Sequence, residues 1–213
     1  MIINKDTAQN VAQILLQVKA VKLAPNKPFT WASGWKSPIY CDNRVTLSYP
    51  QTRTYLRQQF SAQIVEHYGK PDLIAGVATG AIAIGALVAE ELGLPFVYVR
   101  TSAKEHGLGN LVEGYAEKEQ SVVIIEDLIS TGGSSLKAVE ALRNHGCKVK
   151  GMAAIFTYGF EKAEKSFEDA QCKLITLCDY NTLVKKAFDQ SFINAKEVES
   201  LKEWRKSPDK WGT

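Results

Sequence analysis

Apolar runs of strand length alternate with helix-like segments over residues 72–177, and few folds are compatible with this order of elements. The runs expected to be strands are 72–78, 95–100, 122–126, 149–156 and 174–177, and the segments expected to be helices are 79–92, 134–145 and 161–170. Strands that alternate with helices predict a mainly parallel sheet with helices on both faces. The strand segments are rich in Val and Ile, which fits burial of both faces. The predicted fold class is therefore α/β.

The first part of the chain has a different pattern. Apolar residues at helical spacing predict a helix over 7–21, with Asp6 available as its N-cap. Residues 26–49 are irregular and contain several aromatic residues, which indicates loops and short strands. Pro50 is expected to open a second helix that Gly69 closes. These elements predict a small subdomain that packs against the sheet.

A chain of 213 residues fits one large domain. We expect a single domain over 1–213, with 1–48 contributing a small N-terminal subdomain and 70–180 forming the core of sheet and helices. Two more helices, predicted at 181–188 and 195–205, complete the chain. The glycine-containing stretch between residues 100 and 121 has little apolar periodicity, and a loop of that length is typical of a lid or a binding loop.

Composition excludes some classes of protein. A hydrophobic content of 45% with 23% charged residues is typical of a globular protein, and the net charge of +3 gives no reason to expect nucleic-acid binding. No run is apolar enough for a membrane span, and the first residues lack the apolar centre of a signal peptide, so the expected location is the cytoplasm. Four cysteines, at 41, 147, 172 and 178, have no metal-ligand spacing and are expected to be reduced.

The most informative stretch is SVVIIEDLISTGGSS, residues 121–135. An apolar strand delivers Glu126 and Asp127 to the edge of the sheet where ligands of parallel sheets bind. A loop of small residues, 130–134, then leads into a helix. Unpaired N–H groups and the helix dipole favour an anion there, and glycines allow a phosphate to approach the backbone closely.

Two acids beside a phosphate site point to a ligand that has both hydrogen-bond donors and a phosphate group. Carboxylates accept hydrogen bonds from the vicinal hydroxyls of a sugar, and a 5-phosphoribosyl group places its phosphate at the right distance from those hydroxyls. The stretch contains neither a Walker A pattern nor a GxGxxG fingerprint. The alternative interpretation is a capped helix start after an acidic strand end, since Ser and Thr are common N-caps.

The segment VVIIEDLISTGGSS resembles the phosphoribosyl-pyrophosphate motif of type I phosphoribosyltransferases, which reads four hydrophobic residues, two acids, mixed residues, then Thr with Gly. The resemblance implies that Glu126 and Asp127 hold the ribose hydroxyls, with Asp127 also catalytic, and that the following loop holds the 5-phosphate. The residues of this motif expected to bind phosphoribosyl pyrophosphate are Glu126, Asp127, Leu128, Ile129, Ser130, Thr131, Gly132, Gly133 and Ser134.

A second stretch, RTSAKEHG at 100–107, resembles the catalytic loop of orotate phosphoribosyltransferases. Arg100, Lys104 and His106 fill the places of its cations, whereas Thr101 replaces a second lysine. The resemblance implies that these three residues bind phosphoribosyl pyrophosphate and that Lys104 is catalytic at the pyrophosphate leaving group. It also implies a magnesium ion bound mostly by substrate oxygens, and a homodimer in which loop 101–115 reaches the partner's site.

The segment FTWASGWKSPIYCDNR at 29–44 resembles the N-terminal hood of the same family, and we call residues 1–48 the hood below. The resemblance places Ser130 near the orotate base. Lys36, Tyr40 and Arg44 are further candidates for the base site, although each could equally be structural. Some relatives have a lysine where Ala32 stands, and some have an arginine after the next strand, where FTYGF at 156–160 offers none.

The sequence therefore predicts a magnesium-dependent transfer of the phosphoribosyl group from phosphoribosyl pyrophosphate to orotate, with release of pyrophosphate, in pyrimidine synthesis. Two alternatives remain open: a purine-base phosphoribosyltransferase, and a regulator that keeps the fold to sense phosphoribosyl pyrophosphate. The hood favours orotate over a purine. The absence of a helix-turn-helix pattern and the presence of the loop cations favour an enzyme over a regulator.

Overall fold

The computed structural model describes residues 4–31, 34–100 and 111–211. The helices are α1 (Lys5–Gln17), α2 (Pro50–Tyr68), α3 (Ile82–Leu92), α4 (Gly133–His145), α5 (Glu161–Asp169), α6 (Tyr180–Asp189) and α7 (Ala195–Lys206), with a 3-10 helix at Asn43–Ser48. The strands are β1 (Val21–Leu23), β2 (Phe29–Thr30), β3 (Lys36–Ser37), β4 (Ile39–Cys41), β5 (Leu73–Val77), β6 (Phe96–Val99), β7 (Val112–Glu113), β8 (Ser121–Ile129), β9 (Lys148–Thr157) and β10 (Leu174–Asp179).

The central sheet has six strands in the order β10-β9-β8-β5-β6-β7. The five long strands pair in parallel, and β7 pairs antiparallel with β6 at the edge. The predicted α/β class with a mainly parallel sheet is confirmed. Strand β7 was not predicted, because its two residues are too few to show any periodicity.

Both faces of the sheet are buried, as the apolar strand sequences require. Along β8, Val123 and Ile125 join an apolar cluster that contains side chains of α1, α2, α3, α6 and α7. Val122 and Ile124 point to the opposite face and join a cluster with α4 and α5. Because successive strand residues point to opposite faces, one run of Val and Ile supplies both cores.

Strand β8 is longer than the predicted 122–126. Its pairing with β5 ends at the Gly76–Ile125 pair, whereas its pairing with β9 continues to the Ile129–Thr157 pair. Asp127 and the residues after it therefore remain in the strand, although the edge of β8 that faces β5 is no longer paired. This one-sided extension opens a cleft beside β8, above the end of β5.

The hood contains two small antiparallel pairs, β1 with β4 and β2 with β3. It contacts the core through an aromatic cluster, in which Trp31 packs against Tyr158 and the fully buried Trp204 with ring centroids 5.2 and 5.6 Å apart. The first helix begins two residues earlier than predicted, because the side chain of Asn4, and not Asp6, accepts the capping bond from Thr7 N–H. In the described part of the chain, no helix is both long and apolar enough to span a bilayer.

Candidate active site

The cleft beside β8 is a cavity of about 310 Å³, which we call the central cavity. It lies at the carboxyl ends of β5 and β8, where parallel sheets bind ligands. Its lining comes from two segments, Val77, Ala78, Thr79 and Gly80 after β5, and Glu126, Asp127, Leu128, Ser130, Thr131, Gly132, Gly133, Ser134 and Ser135 after and within β8. The structure thus brings together the predicted motif and the loop that follows a different strand.

The start of α4 forms one end of the central cavity. Gly132 is the N-cap residue with φ 83°, a left-handed conformation that glycine adopts without strain, and it has no side chain that could cap the helix. The first N–H groups of α4 are therefore available to a ligand, and the helix dipole favours a negative one. A Cβ on Gly133 would meet nothing within 4 Å, so the cavity is open at this point. This geometry fits a phosphate group.

Glu126 lines the central cavity and is only 5% exposed. Its Oε1 accepts a hydrogen bond from the Asp127 N–H at 3.0 Å, and its Oε2 accepts one from the Ser135 hydroxyl at 2.8 Å. Burial, and next the negative charge of Asp127, raise the pKa of Glu126 to about 8. The raised pKa favours the protonated form of this carboxyl group at neutral pH, which lessens the negative charge beside a bound phosphate.

Asp127 is half-buried, and its carboxylate lies against Gly80 in the loop after β5. A Cβ at Gly80 would overlap the Asp127 carboxylate, so only glycine fits there while this contact is kept. Asp127 is the acid that faces the open side of the cavity. Its position between the two loops allows it to accept hydrogen bonds from a ligand that spans them.

Two buried residues support the acids and were not found from the sequence. Asn43, 2% exposed, donates from Nδ2 to the Asp127 carbonyl oxygen at 2.6 Å, which ties the hood directly to the acid pair. Ser135, 1% exposed, holds Glu126 as described above. Ser135 directly follows the predicted loop, so its position was a usable signal. Asn43 is 84 residues from Asp127 in sequence, and nothing local marked it.

Four other residues predicted to bind phosphoribosyl pyrophosphate are not among the described lining of the central cavity. Ile129 is fully buried in the core, so its side chain does not face the central cavity. Arg100 follows β6 and is paired with Glu113 at 3.4 Å, while its N–H bonds to the Leu111 carbonyl. Lys104 and His106 lie outside the described residues, and so does most of the predicted loop 101–115.

The hood candidates for the base site make contacts of their own. Lys36 Nζ donates to the Thr30 hydroxyl at 2.9 Å, and Arg44 is paired with Asp42 at 2.7 Å. Tyr40 is 39% exposed and lies 5.6 Å from the Phe29 ring. The described lining of the central cavity does not include Lys36, Tyr40 or Arg44, and their role in base binding stays a prediction.

Comparison with known proteins agrees with this geometry. Residues 56–188 match the family model described as phosphoribosyl transferase domain. The chain is 60% identical to orotate phosphoribosyltransferase of Porphyromonas gingivalis over 98% of this chain and 99% of that protein. Among solved structures, it is similar to orotate phosphoribosyltransferase from Aeropyrum pernix (TM-score 0.73, 26% identity, 86% of this chain and 99% of that one).

A third similar protein is UMP synthase of Leishmania donovani, with a TM-score of 0.80 and 25% identity. The match covers 95% of this chain and 43% of the Leishmania chain. The resemblance inferred from the motifs is confirmed by these matches. The chain belongs to the phosphoribosyl transferase family and, within it, to the orotate phosphoribosyltransferases.

Proposed function

We propose that this chain transfers the 5-phosphoribosyl group from phosphoribosyl pyrophosphate to orotate, giving orotidine 5′-monophosphate and pyrophosphate, in the synthesis of pyrimidine nucleotides. The observation that carries the proposal is the central cavity, where Asp127, the open start of α4 and the loop after β5 converge. The names of the relatives that match nearly the whole chain support orotate as the accepting base.

The cavity has a place for each part of the donor. The 5-phosphate binds at the start of α4, where the N–H groups of Gly133 and Ser134 and the dipole favour an anion. The ribose hydroxyls donate to the Asp127 carboxylate. The pyrophosphate lies along the loop after β5, whose small residues expose backbone N–H groups. The two ends of the cavity thus hold the two phosphorylated ends of one sugar.

In the reaction, the bond between ribose C1 and the pyrophosphate oxygen breaks and its electron pair leaves with that oxygen. A ring nitrogen of orotate forms the new bond to C1, and its proton passes to the departing pyrophosphate. Positive charge develops on the sugar as in glycoside chemistry, and a negative Asp127 beside the ring stabilises it. Arg100, Lys104 and His106 neutralise the charge that grows on the pyrophosphate. A protonated Glu126 limits repulsion of the phosphates.

We propose Mg²⁺ as the cofactor. Within the described residues, no three acidic, His or Cys side chains converge where they could hold a metal ion by themselves. Mg²⁺ is commonly bound by one or two carboxylates together with substrate phosphates and water, and Asp127 on the cavity fits that donor set. The ion would neutralise charge on the leaving pyrophosphate.

The assembly and location are also proposals. A homodimer whose loop 101–115 reaches the partner's cavity would bring Lys104 and His106 to the reaction from a second chain. Closure of such a loop would exclude water and limit hydrolysis of the donor. All four cysteines are free, which suits a reducing compartment such as the cytoplasm.

An absorbance assay of orotate consumption tests the proposal. We expect consumption that requires phosphoribosyl pyrophosphate and Mg²⁺, and no comparable turnover of hypoxanthine or adenine. Preferred turnover of a purine would replace orotate as the substrate. Tight binding of phosphoribosyl pyrophosphate without turnover of any base would favour the sensing regulator.

A further inference from the structure

A second cavity, of about 540 Å³, lies beside the central cavity, and we call it the side cavity. The two cavities share Thr131 of the phosphate loop as a wall. The other walls include residues from distant parts of the chain: Trp35 of the hood, Gly159 after β9, and Arg205 and Lys206 at the end of α7.

Arg205 is the half-buried cation of the side cavity. Its Nε donates to the Tyr158 carbonyl at 3.1 Å, its Nη2 donates to the Gly159 carbonyl at 2.5 Å, and its guanidinium lies 5.9 Å from the centre of the Tyr180 ring. These contacts fix the guanidinium before any ligand arrives. Among the described residues, these contacts engage Nε–H and one N–H of Nη2, so Nη1 and the second N–H of Nη2 remain as a pair of donors for a ligand in the cavity.

Backbone pairing places Arg205 at the ligand-binding edge of the sheet. The Tyr158 N–H bonds to the Ile129 carbonyl at 3.1 Å, next to the first residue of the phosphate loop. Arg205 therefore sits at the carboxyl end of β9, one strand away from the residues that hold the sugar. A planar group that extends from ribose C1 toward β9 would approach it.

The sheet order indicates that the base comes from this side. Strands β5 and β9 flank β8 on opposite sides, and the proposed pyrophosphate site follows β5. In a displacement at C1, the incoming nitrogen and the departing oxygen lie on opposite faces of the sugar. A pyrophosphate on the β5 side therefore requires the base on the β9 side, where the side cavity opens.

We propose that Arg205 binds the carboxylate of orotate in the side cavity. The inference rests on the proposed function, because it names the base subsite of that same reaction. A guanidinium offers paired donors that match a carboxylate, and one that is already held loses little freedom on binding. The charged side chains of the cavity are Lys162, Arg205 and Lys206 against Glu161 and Asp209, which leaves an excess of positive charge for an anionic base.

A purely structural role for Arg205 would be to fasten α7 to the turn after β9. The chain offers a matched control for that role. Arg143 of α4 also donates to two consecutive carbonyls, of Ala170 at 2.8 Å and of Gln171 at 3.2 Å, and it lines neither cavity. Arg205→Met and Arg143→Met each remove such a clamp, but only the first removes a cation from the side cavity.

The experiment measures kcat and KM for orotate and for phosphoribosyl pyrophosphate in the full chain and in Arg205→Met, Arg205→Lys and Arg143→Met. It also measures inhibition by uracil, which has the same ring without the carboxylate. Melting temperatures and circular dichroism report folding. Arg205→Lys keeps the charge and serves if Arg205→Met does not fold.

We expect Arg205→Met to raise KM for orotate roughly 10- to 100-fold, as for loss of a charge-assisted contact, with KM for phosphoribosyl pyrophosphate within about twofold. Inhibition by uracil should not change, Arg205→Lys should restore part of the orotate affinity, and Arg143→Met should alter only the melting temperature.

The inference is overturned if Arg205→Met weakens orotate and uracil equally, or changes both substrates' KM alike, or behaves as Arg143→Met does. It is also overturned if Arg205→Lys folds correctly and binds orotate with unchanged affinity. That result would show that the paired donors of the guanidinium do not contribute to binding. Absence of orotate turnover by the unaltered chain would overturn the proposed function, and this inference with it.

Discussion

The two sides of the site are built in different ways. The sugar-phosphate side, residues 126–135, is one continuous stretch that leaves β8 and enters α4. The proposed base side, the side cavity, is lined by Trp35, Gly159 and Arg205, which are far apart in the sequence. A continuous stretch that binds through its own backbone can be identified from its residues alone. A surface assembled from three segments depends on how the whole chain packs.

This difference has a physical basis. On the sugar-phosphate side the proposed ligand contacts are backbone N–H groups and one carboxylate, and their positions follow from strand, turn and helix geometry. On the base side the orientation of Arg205 depends on the turn after β9 and on the packing of Trp204 in the aromatic cluster. The first arrangement is local, and the second exists only in the folded chain.

The largest expected effect tests whether the continuous stretch is sufficient for the reaction. Lys104→Ala should lower kcat about 100- to 1000-fold, equivalent to about 3–4 kcal/mol, because its partner charge grows as the bond to pyrophosphate breaks. The affinity for phosphoribosyl pyrophosphate, measured by titration, should change much less. Lys118→Ala, an exposed lysine outside both cavities, is the control. Equal losses of kcat and affinity would contradict the role given to Lys104.

The next effect concerns the sugar-phosphate side itself. Asp127→Asn removes the charge but keeps the shape against Gly80, so kcat/KM should fall about 10- to 100-fold while the fold is retained. Steady-state kinetics with circular dichroism checks this. The matched control is Asp72→Asn at the opposite, amino end of β5, which should leave kinetics unchanged. Unaltered kinetics in Asp127→Asn would remove Asp127 from the site.

A third prediction concerns the contact between the hood and the acid pair. Asn43→Ala leaves the Asp127 carbonyl without the donor of a part-buried hydrogen bond, which should lower the free energy of unfolding by about 1–3 kcal/mol and raise KM for phosphoribosyl pyrophosphate. Chemical denaturation and steady-state kinetics measure the two effects. Asn26→Ala removes an exposed bond to Glu197 and should change stability by no more than about 0.5 kcal/mol. Equal behaviour of the two variants would show that the hood does not support the acids.

The last prediction concerns the pH dependence of stability. The pKa of Glu126 is raised to about 8 in the folded chain from an ordinary value of 4.5. Between pH 4.5 and pH 8, the folded state therefore keeps a proton on Glu126 that the unfolded state has released. The contribution of Glu126 to stability is therefore full below pH 4.5 and is lost as the pH rises to 8, by at most about 1.4 kcal/mol per pH unit.

Denaturation midpoints between pH 5 and 9 measure this slope, with Glu126→Gln as the comparison. The glutamine variant does not titrate, so its stability curve should be flatter over the same interval. Parallel curves for the two proteins would mean that Glu126 is ionised in the folded chain, and the repulsion argument for the cavity would then be wrong.

Much of the architecture was accessible from residue patterns. The alternation of apolar runs and helical segments predicted the parallel sheet, and Pro50 and Gly69 predicted the limits of α2. The extent of β8 beyond residue 126 was not predicted, because it depends on β9 continuing as a partner after β5 has ended. The last predicted helix, 195–205, is present as α7, but the full burial of its Trp204 depends on the aromatic cluster that the folded chain assembles around it.

The order of residues alone specified the phosphate loop, the acid pair and the α/β sheet, because each depends on neighbours in sequence and on periodicities of two or 3.6 residues. Folding in three dimensions specified the burial that raises the pKa of Glu126, the contact of Asn43 with Asp127 and the lining of one cavity by both Arg205 and Thr131. Those features depend on distances between segments that are remote in the chain, and local patterns of residues do not encode such distances.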